Sequence, residues 1–295
     1  MFGIPLFSIL ITLYLFLGGA AAGALFTMAA WSIVFHRNER QQSERLKNAF
    51  KSLLTKSYLI GLVLLVFSIF CLVWDLGSPE RVLYLFFKPH LTVLTFGSYF
   101  LLILSLIGFL LAAVNLLDLS FVKGKTRKLL EYLCCFFALA VIIYVGVFLA
   151  TNASVPFWNN WVLVALFLFS SLSCGVSIVL LIDYFIKDQT LLLRAARPLQ
   201  RAHVLVLLLE ALSLAGFLAI VFTNPAAAKS IDLLMEPGML STAVIGVVGM
   251  GIVIPLFLES YNLLTKPYRT IPISDVICLL GGFFLRYVII LCGVH

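Results

Sequence analysis

Two charged residues stand well inside apolar runs of this 295-residue chain: Glu210 in VLVLLLEALSLAG and Arg286 in GGFFLRYVIILCG. An ionisable group among hydrocarbon is costly, so each points to ion or proton passage or to a polar substrate. The plainer alternative is a hydrogen-bonded charge that holds neighbouring helices together. Glu131, Asp183, Glu259 and Asp275 lie near one set of run ends. There they are either interfacial or the mouth of a proton path. Tyr14, Tyr144 and Arg286 fall at one level, roughly 10 Å below the opposite surface at 1.5 Å per helical residue. Three polar groups at one level suggest a pocket for an amphipathic ligand; for the tyrosines the alternative is packing with a satisfied hydroxyl. The third feature is 71-CLVWDLGSPERVLYLFFKPH-90. Its Asp75, Glu80, Arg81 and Lys88 around a Gly-Ser-Pro turn read as a docking or ligand surface. The alternative there is a turn with interfacial anchors.

The elements that must position these groups follow from composition. Hydrophobic residues make up 63% of the chain and charged residues 11%, with a mean hydropathy of +1.14. A soluble domain carries about 25% charge, so bilayer must cover this surface. Eight apolar runs are long enough to cross, near 5–35, 55–75, 90–117, 129–151, 160–186, 203–223, 238–260 and 273–293. The expected fold is an all-α integral membrane domain over 1–295, with helices 1–4 at about 5–151 and helices 5–8 at about 160–293. No cleavable signal peptide is expected, because the first run lacks a basic n-region and an A-x-A-like site.

Basic residues set the orientation. Sixteen Lys and Arg lie in the connections 1–2, 3–4, 5–6 and 7–8 or at their edges, against three, Arg81, Lys88 and Lys229, in the others. The positive-inside rule then places both termini on the outer side, with the DLGSPER turn. The same distribution accounts for the net charge of +7 without nucleic acid.

The six cysteines lie in or beside apolar runs and show no C-x-x-C spacing. They read as small buried hydrophobes, and no metal ligand set is expected. The four histidines, His36, His90, His203 and His295, all sit near run ends, so no haem is expected either. LGGAAAG (17–23) lies in mid-membrane. Its Gly19-x-x-x-Gly23 spacing allows close helix approach, and a flat ligand against the glycine surface is a weaker reading.

In order along the chain, LYLFLGGAAAGAL, DLGSPERV, TVLTFGSY, YVGVFLA with VPFWN, LLLEALS, IPLFLE and GGFFLRYVIILCG resemble the membrane subunits of the NrfD and polysulfide reductase type. The resemblance implies a haem-free, quinone-interacting anchor of two four-helix bundles in a bacterial or archaeal cytoplasmic membrane, serving anaerobic respiration. Such a subunit oxidises quinol or reduces quinone, here expected to be the oxidation of menaquinol, and is not itself the catalytic centre of its complex. It passes electrons to a docked periplasmic ferredoxin-like iron–sulfur subunit (4Fe–4S), usually with a molybdopterin catalytic subunit beyond. The quinone site would involve Tyr14, Gly18, Gly19, Asp75, Gly77 and Tyr144. The docking surface would involve Pro79, Glu80, Arg81 and Lys88. A coupled proton path would use Glu210, Arg286, Glu259, Asp183 and Glu131.

Asp75 and Gly77 match the family's Asp-Leu-Gly, and Tyr144 matches its tyrosine in span 4. Ser78 stands where an Arg is common. Tyr14 stands where some members have a histidine; it can hydrogen-bond a carbonyl but is a poor proton acceptor near neutral pH. Two further readings remain: a transporter using Glu210 and Arg286, although no internal repeat is visible, and an inert membrane anchor.

Overall fold

The computed structural model describes residues 9–37, 43–75, 93–117, 125–186, 196–265 and 272–293. Eight helices in it are long and apolar enough to cross a membrane: α1 (Ile9–Arg37), α2 (Glu44–Asp75), α3 (Val93–Leu116), α4 (Lys125–Ala150), α5 (Val162–Tyr184), α6 (Arg197–Thr223), α7 (Pro237–Thr265) and α8 (Ile273–Leu291). No strand occurs among the described residues. Large apolar side chains such as Phe70, Phe109, Phe136, Leu212 and Phe257 point outward, as a lipid-facing surface requires. The chain is a multi-pass membrane protein.

Several helices outrun the predicted spans. α2 starts at Glu44 rather than near 55, and α6 at Arg197 rather than 203. Hydropathy falls where charge begins, but helix formation does not. Glu44 and Lys47 form a 2.9 Å pair one turn apart, a spacing that supports a helix beyond the bilayer.

α1 packs against α2, α4, α5 and α8, and so belongs to both halves of the molecule. Its small residues permit this. A side chain at Gly23 would strike the Ser171 carbonyl of α5, and one at Gly175 would strike the Gly23 backbone. The two helices touch backbone to backbone, as the glycine spacing predicts. Where lipid competes for apolar surface, such close packing supplies the contact.

α7 departs from the expected regular helix. Its middle, Thr242–Val253, is π-helical, between an α-turn at Pro237–Ser241 and the α-helix Ile254–Thr265. Gly251 lies against Gly281 of α8, and a side chain at Gly246 would meet Phe284. The widened helix therefore sits close on α8. The connection before it carries a second short helix, Ala228–Met235.

The connection between α4 and α5 is built into the core. Val155, Phe157 and Trp158 are buried. Trp158 Nε1 donates to the Ile289 carbonyl of α8 at 2.8 Å. VPFWN thus fastens the middle of the chain to its last described helix.

Candidate functional site

We call the end of the bundle where α1 begins and α8 finishes the terminal end, and the other the far end. Three groups of polar residues run between them through the interior.

At the terminal end, Tyr14 on α1 and Tyr144 on α4 are buried against one another. The Tyr144 ring covers Gly97 of α3, where a methyl group would collide with it. Ser68 Oγ of α2 donates to the Tyr14 carbonyl at 3.0 Å, fixing α1 at this level. Tyr14 Oη itself is buried without a hydrogen bond of good geometry. Tyr144 is its neighbour, and a phenol hydroxyl can also donate to a ligand acceptor such as a quinone oxygen. Asp75 is half-buried at the end of α2, seven residues or about two turns beyond Ser68. Gly77, Pro79, Glu80, Arg81 and Lys88 lie outside the described residues.

Gly18 and Gly19 face protein atoms. A side chain at Gly18 would meet Ser68 Oγ at 2.8 Å, and one at Gly19 would meet Ser171 Oγ at 2.6 Å and Arg286 Nη2 at 3.0 Å. These glycines admit α2, α5 and Arg286 to the α1 backbone.

Arg286, fully buried, occupies the centre. Nε donates to the Leu15 carbonyl (3.3 Å), Nη1 to Ser170 Oγ (3.1 Å) and the Gly282 carbonyl (2.8 Å), and Nη2 to Ser171 Oγ (2.7 Å). The guanidinium also lies over Phe16 and Phe167. Glu210 of α6 sits against Ser170 and Ser173 and within electrostatic reach of Arg286. Its Oε2 is buried with no hydrogen-bond partner. The two charges foreseen in the membrane are therefore joined through Ser170.

From Glu210 the polar line continues to the far end. Ser173 Oγ lies 3.5 Å, and Ser177 Oγ 3.3 Å, from His203 Nε2 of α6. His203 Nδ1 faces Glu259 Oε1 of α7 at 4.0 Å. Asp275 of α8 completes a group whose ligand-type atoms all lie within 4.8 Å of one another. Asp183 and Gln200 are buried at the same end.

The acids near the far ends are enclosed by protein. Glu131, Asp183, Glu259 and Asp275 are at most 1% exposed. Glu131, however, belongs to a separate group in the first half. It accepts from Ser32 Oγ of α1 (2.7 Å) and from Arg127 Nε (3.2 Å). Arg127 also donates to Asn115 of α3 at 3.1 Å, and Ser32 leads on to His36. Glu131 thus joins α1, α3 and α4.

His203 and the serines of α5 were not among the expected site residues. His203 gave no signal because it lies at the edge of an apolar run. Ser170, Ser173 and Ser177 did carry one: their spacing of three and four residues puts them on one helix face.

A largely apolar cavity of about 440 Å³ lies elsewhere, between α1, α2, α5 and α6 toward the far end; Trp31, Phe35, Leu46, Val176 and Leu199 help line it.

The family model for polysulphide reductase, NrfD, matches residues 3–295. The chain belongs to the NrfD family. No curated protein matches it at a significant level. As an NrfD-family membrane subunit it is a quinone-interacting anchor of an oxidoreductase complex, a class that pairs with iron–sulfur and molybdopterin subunits.

Proposed function

We propose that this NrfD-family subunit oxidises menaquinol at the Tyr14–Tyr144 level and hands the electrons to a periplasmic ferredoxin-like iron–sulfur subunit docked at the terminal end. The basic-residue distribution supports an outward position for that end. The observation that carries the reading is the pair of buried phenols, Tyr14 and Tyr144, set against one another at one level.

The quinol, when bound, supplies two electrons and two protons. Tyr14 and Tyr144 hold its two-oxygen ring by hydrogen bonds to the oxygens. Gly97 leaves room for the phenol end of the Tyr144 ring against α3. Neither phenol accepts a proton readily near neutral pH; Asp75, with water, is the acceptor on this side. As the resemblance implies, Gly77 belongs to the quinone site, and Pro79, Glu80, Arg81 and Lys88 belong to the docking of the partner.

A proton route runs through Ser173, Glu210, Ser170 and Arg286; His203 Nε2 meets it at Ser173, and Glu259 lies beyond His203 at the far end. Asp183 of α5, buried at the far end, is proposed as a further member. The continuous buried polar groups on α5, α6 and α7 support it. Buried carboxylates and histidines in membrane spans serve proton relays.

The test is quinol-dependent electron transfer in the purified native complex, for wild type, Tyr14→Phe, Tyr144→Phe and Asp75→Asn. A dye donor that bypasses the membrane subunit is the control. The expected result is a fall of about tenfold or more in the quinol rate, about 1.4 kcal/mol, with the dye rate held. Unchanged quinol rates in all three variants would overturn the site. Retained dye activity with no quinol activity in wild type would favour the inert anchor.

A further inference from the structure

The group at the far end has a feature that proton relay alone leaves unexplained. His203, Glu259 and Asp275 come from α6, α7 and α8, and all are fully buried. Their ligand-type atoms lie within 4.8 Å of one another. His203 Nε2 is taken up by Ser177 at 3.3 Å and Ser173 at 3.5 Å. Its Nδ1 is buried, makes no hydrogen bond, and points at Glu259 Oε1 from 4.0 Å. That gap is too wide for a shared proton. It is the width spanned by a cation with a ligand on each side.

One ring tautomer suits this arrangement. With the ring proton on Nε2 and donated to serine, the Nδ1 lone pair faces the carboxylates. Metal-binding histidines use one ring nitrogen as ligand and anchor the other in this way. Three ligands at about 2.1 Å from one ion stand about 3.4–3.6 Å apart, so the three side chains, within 4.8 Å of one another, close around an ion with shifts of up to about 0.7 Å each. One imidazole and two carboxylates suit a borderline divalent ion, and three protein ligands leave a fourth position open.

We propose that His203, Glu259 and Asp275 form a binding site for a divalent transition cation of the Zn²⁺ class. The site ties α6, α7 and α8 together at the far end. It does not depend on the quinone reading, because binding is measured without turnover. Sequence spacing hides the site, since its ligands lie 56 and 16 residues apart on separate helices.

The experiment uses the purified native complex, stripped with a chelator and equilibrated with Zn²⁺. Metal per chain is measured by mass spectrometry, and the ligand shell by X-ray absorption at the zinc edge. Wild type is expected to retain one additional Zn²⁺ per chain, with one imidazole and oxygen donors at about 2.0–2.2 Å. His203→Gln and Asp275→Asn, each eluting as the intact complex, are expected to lose it. Ser177→Ala, which removes the anchor of the ring, is expected to weaken binding about 10-fold or more. No additional Zn²⁺ in wild type would overturn the proposal. So would equal retention in His203→Gln and Asp275→Asn, or a shell dominated by sulfur at about 2.3 Å.

Discussion

Ser170 stands between Arg286 and Glu210. Its Oγ accepts from Arg286 Nη1 at 3.1 Å, and the Glu210 carboxylate sits against the same hydroxyl. Two opposite charges in the membrane interior thus share one neutral group. Removing it leaves a donor of Arg286 unsatisfied and loosens Glu210. Ser170→Ala is expected to destabilise the protein by about 1–3 kcal/mol. Arg286→Met, which strands Glu210, is expected to cost about 3–5 kcal/mol. Unfolding in detergent ranks the two. A Ser170→Ala midpoint equal to wild type would mean that the charges pair without the serine.

Gly97 sets the position of the Tyr144 ring without carrying any chemistry. Gly97→Ala places a methyl group in the space of that ring, and the phenol must move. The expected outcome is a quinol rate lowered about tenfold, equal to about 1.4 kcal/mol, with dye activity kept. Combined with Tyr144→Phe the loss is expected to be less than additive, because both act on one group. Full additivity in the double variant would separate Gly97 from the tyrosine.

Glu131 and Glu210 are expected to behave differently. Glu131 is held by Ser32 and Arg127, joining α1 to α4. Glu131→Gln is expected to lower stability by about 1–3 kcal/mol and leave proton stoichiometry unchanged. Glu210→Gln is expected to lower the number of protons moved per quinol in vesicles. Unchanged turnover and stoichiometry in Glu210→Gln would remove it from the proton route.

The α1–α5 contact makes the sharpest stability forecast. A side chain at Gly175 would enter the Gly23 backbone, and neither helix can yield without moving the rest of its half. Gly175→Val is expected to exceed the usual overpacking cost of about 1–3 kcal/mol. The readout is the yield of folded protein and its melting midpoint, compared with Gly216→Val, where the nearest atom is a flexible valine methyl group at 3.6 Å.

How much of this was legible in the sequence depends on the kind of information needed. Eight spans follow from hydropathy, a sum over neighbours in the chain. Glu210 and Arg286 stand out because charge in an apolar run is visible by itself, and the glycine spacing of α1 foretold its tight packing. Ser170 between the two charges was not legible, since the join depends on how α5 turns between α6 and α8. His203, Glu259 and Asp275 come together only once three helices are in place. The placement of Glu131 in a separate group was hidden for the same reason: its depth matches that of Glu259, but depth says nothing about which half of the molecule it faces. The π-helical stretch of α7 escapes hydropathy altogether, because widening a helix changes backbone pairing and not composition.

The bond from Arg286 Nε to the Leu15 carbonyl links positions 271 residues apart. During synthesis Leu15 enters the membrane with the first span, and Arg286 arrives only with α8. Until then the carbonyl of Leu15 and the hydroxyls of Ser170 and Ser171 wait without their cation. A nascent chain stopped before α8 therefore carries Glu210 in the bilayer with no counter-charge from Arg286, a costly state. Arrival of this one guanidinium fills the donor positions beside Leu15, Ser170 and Ser171 at once.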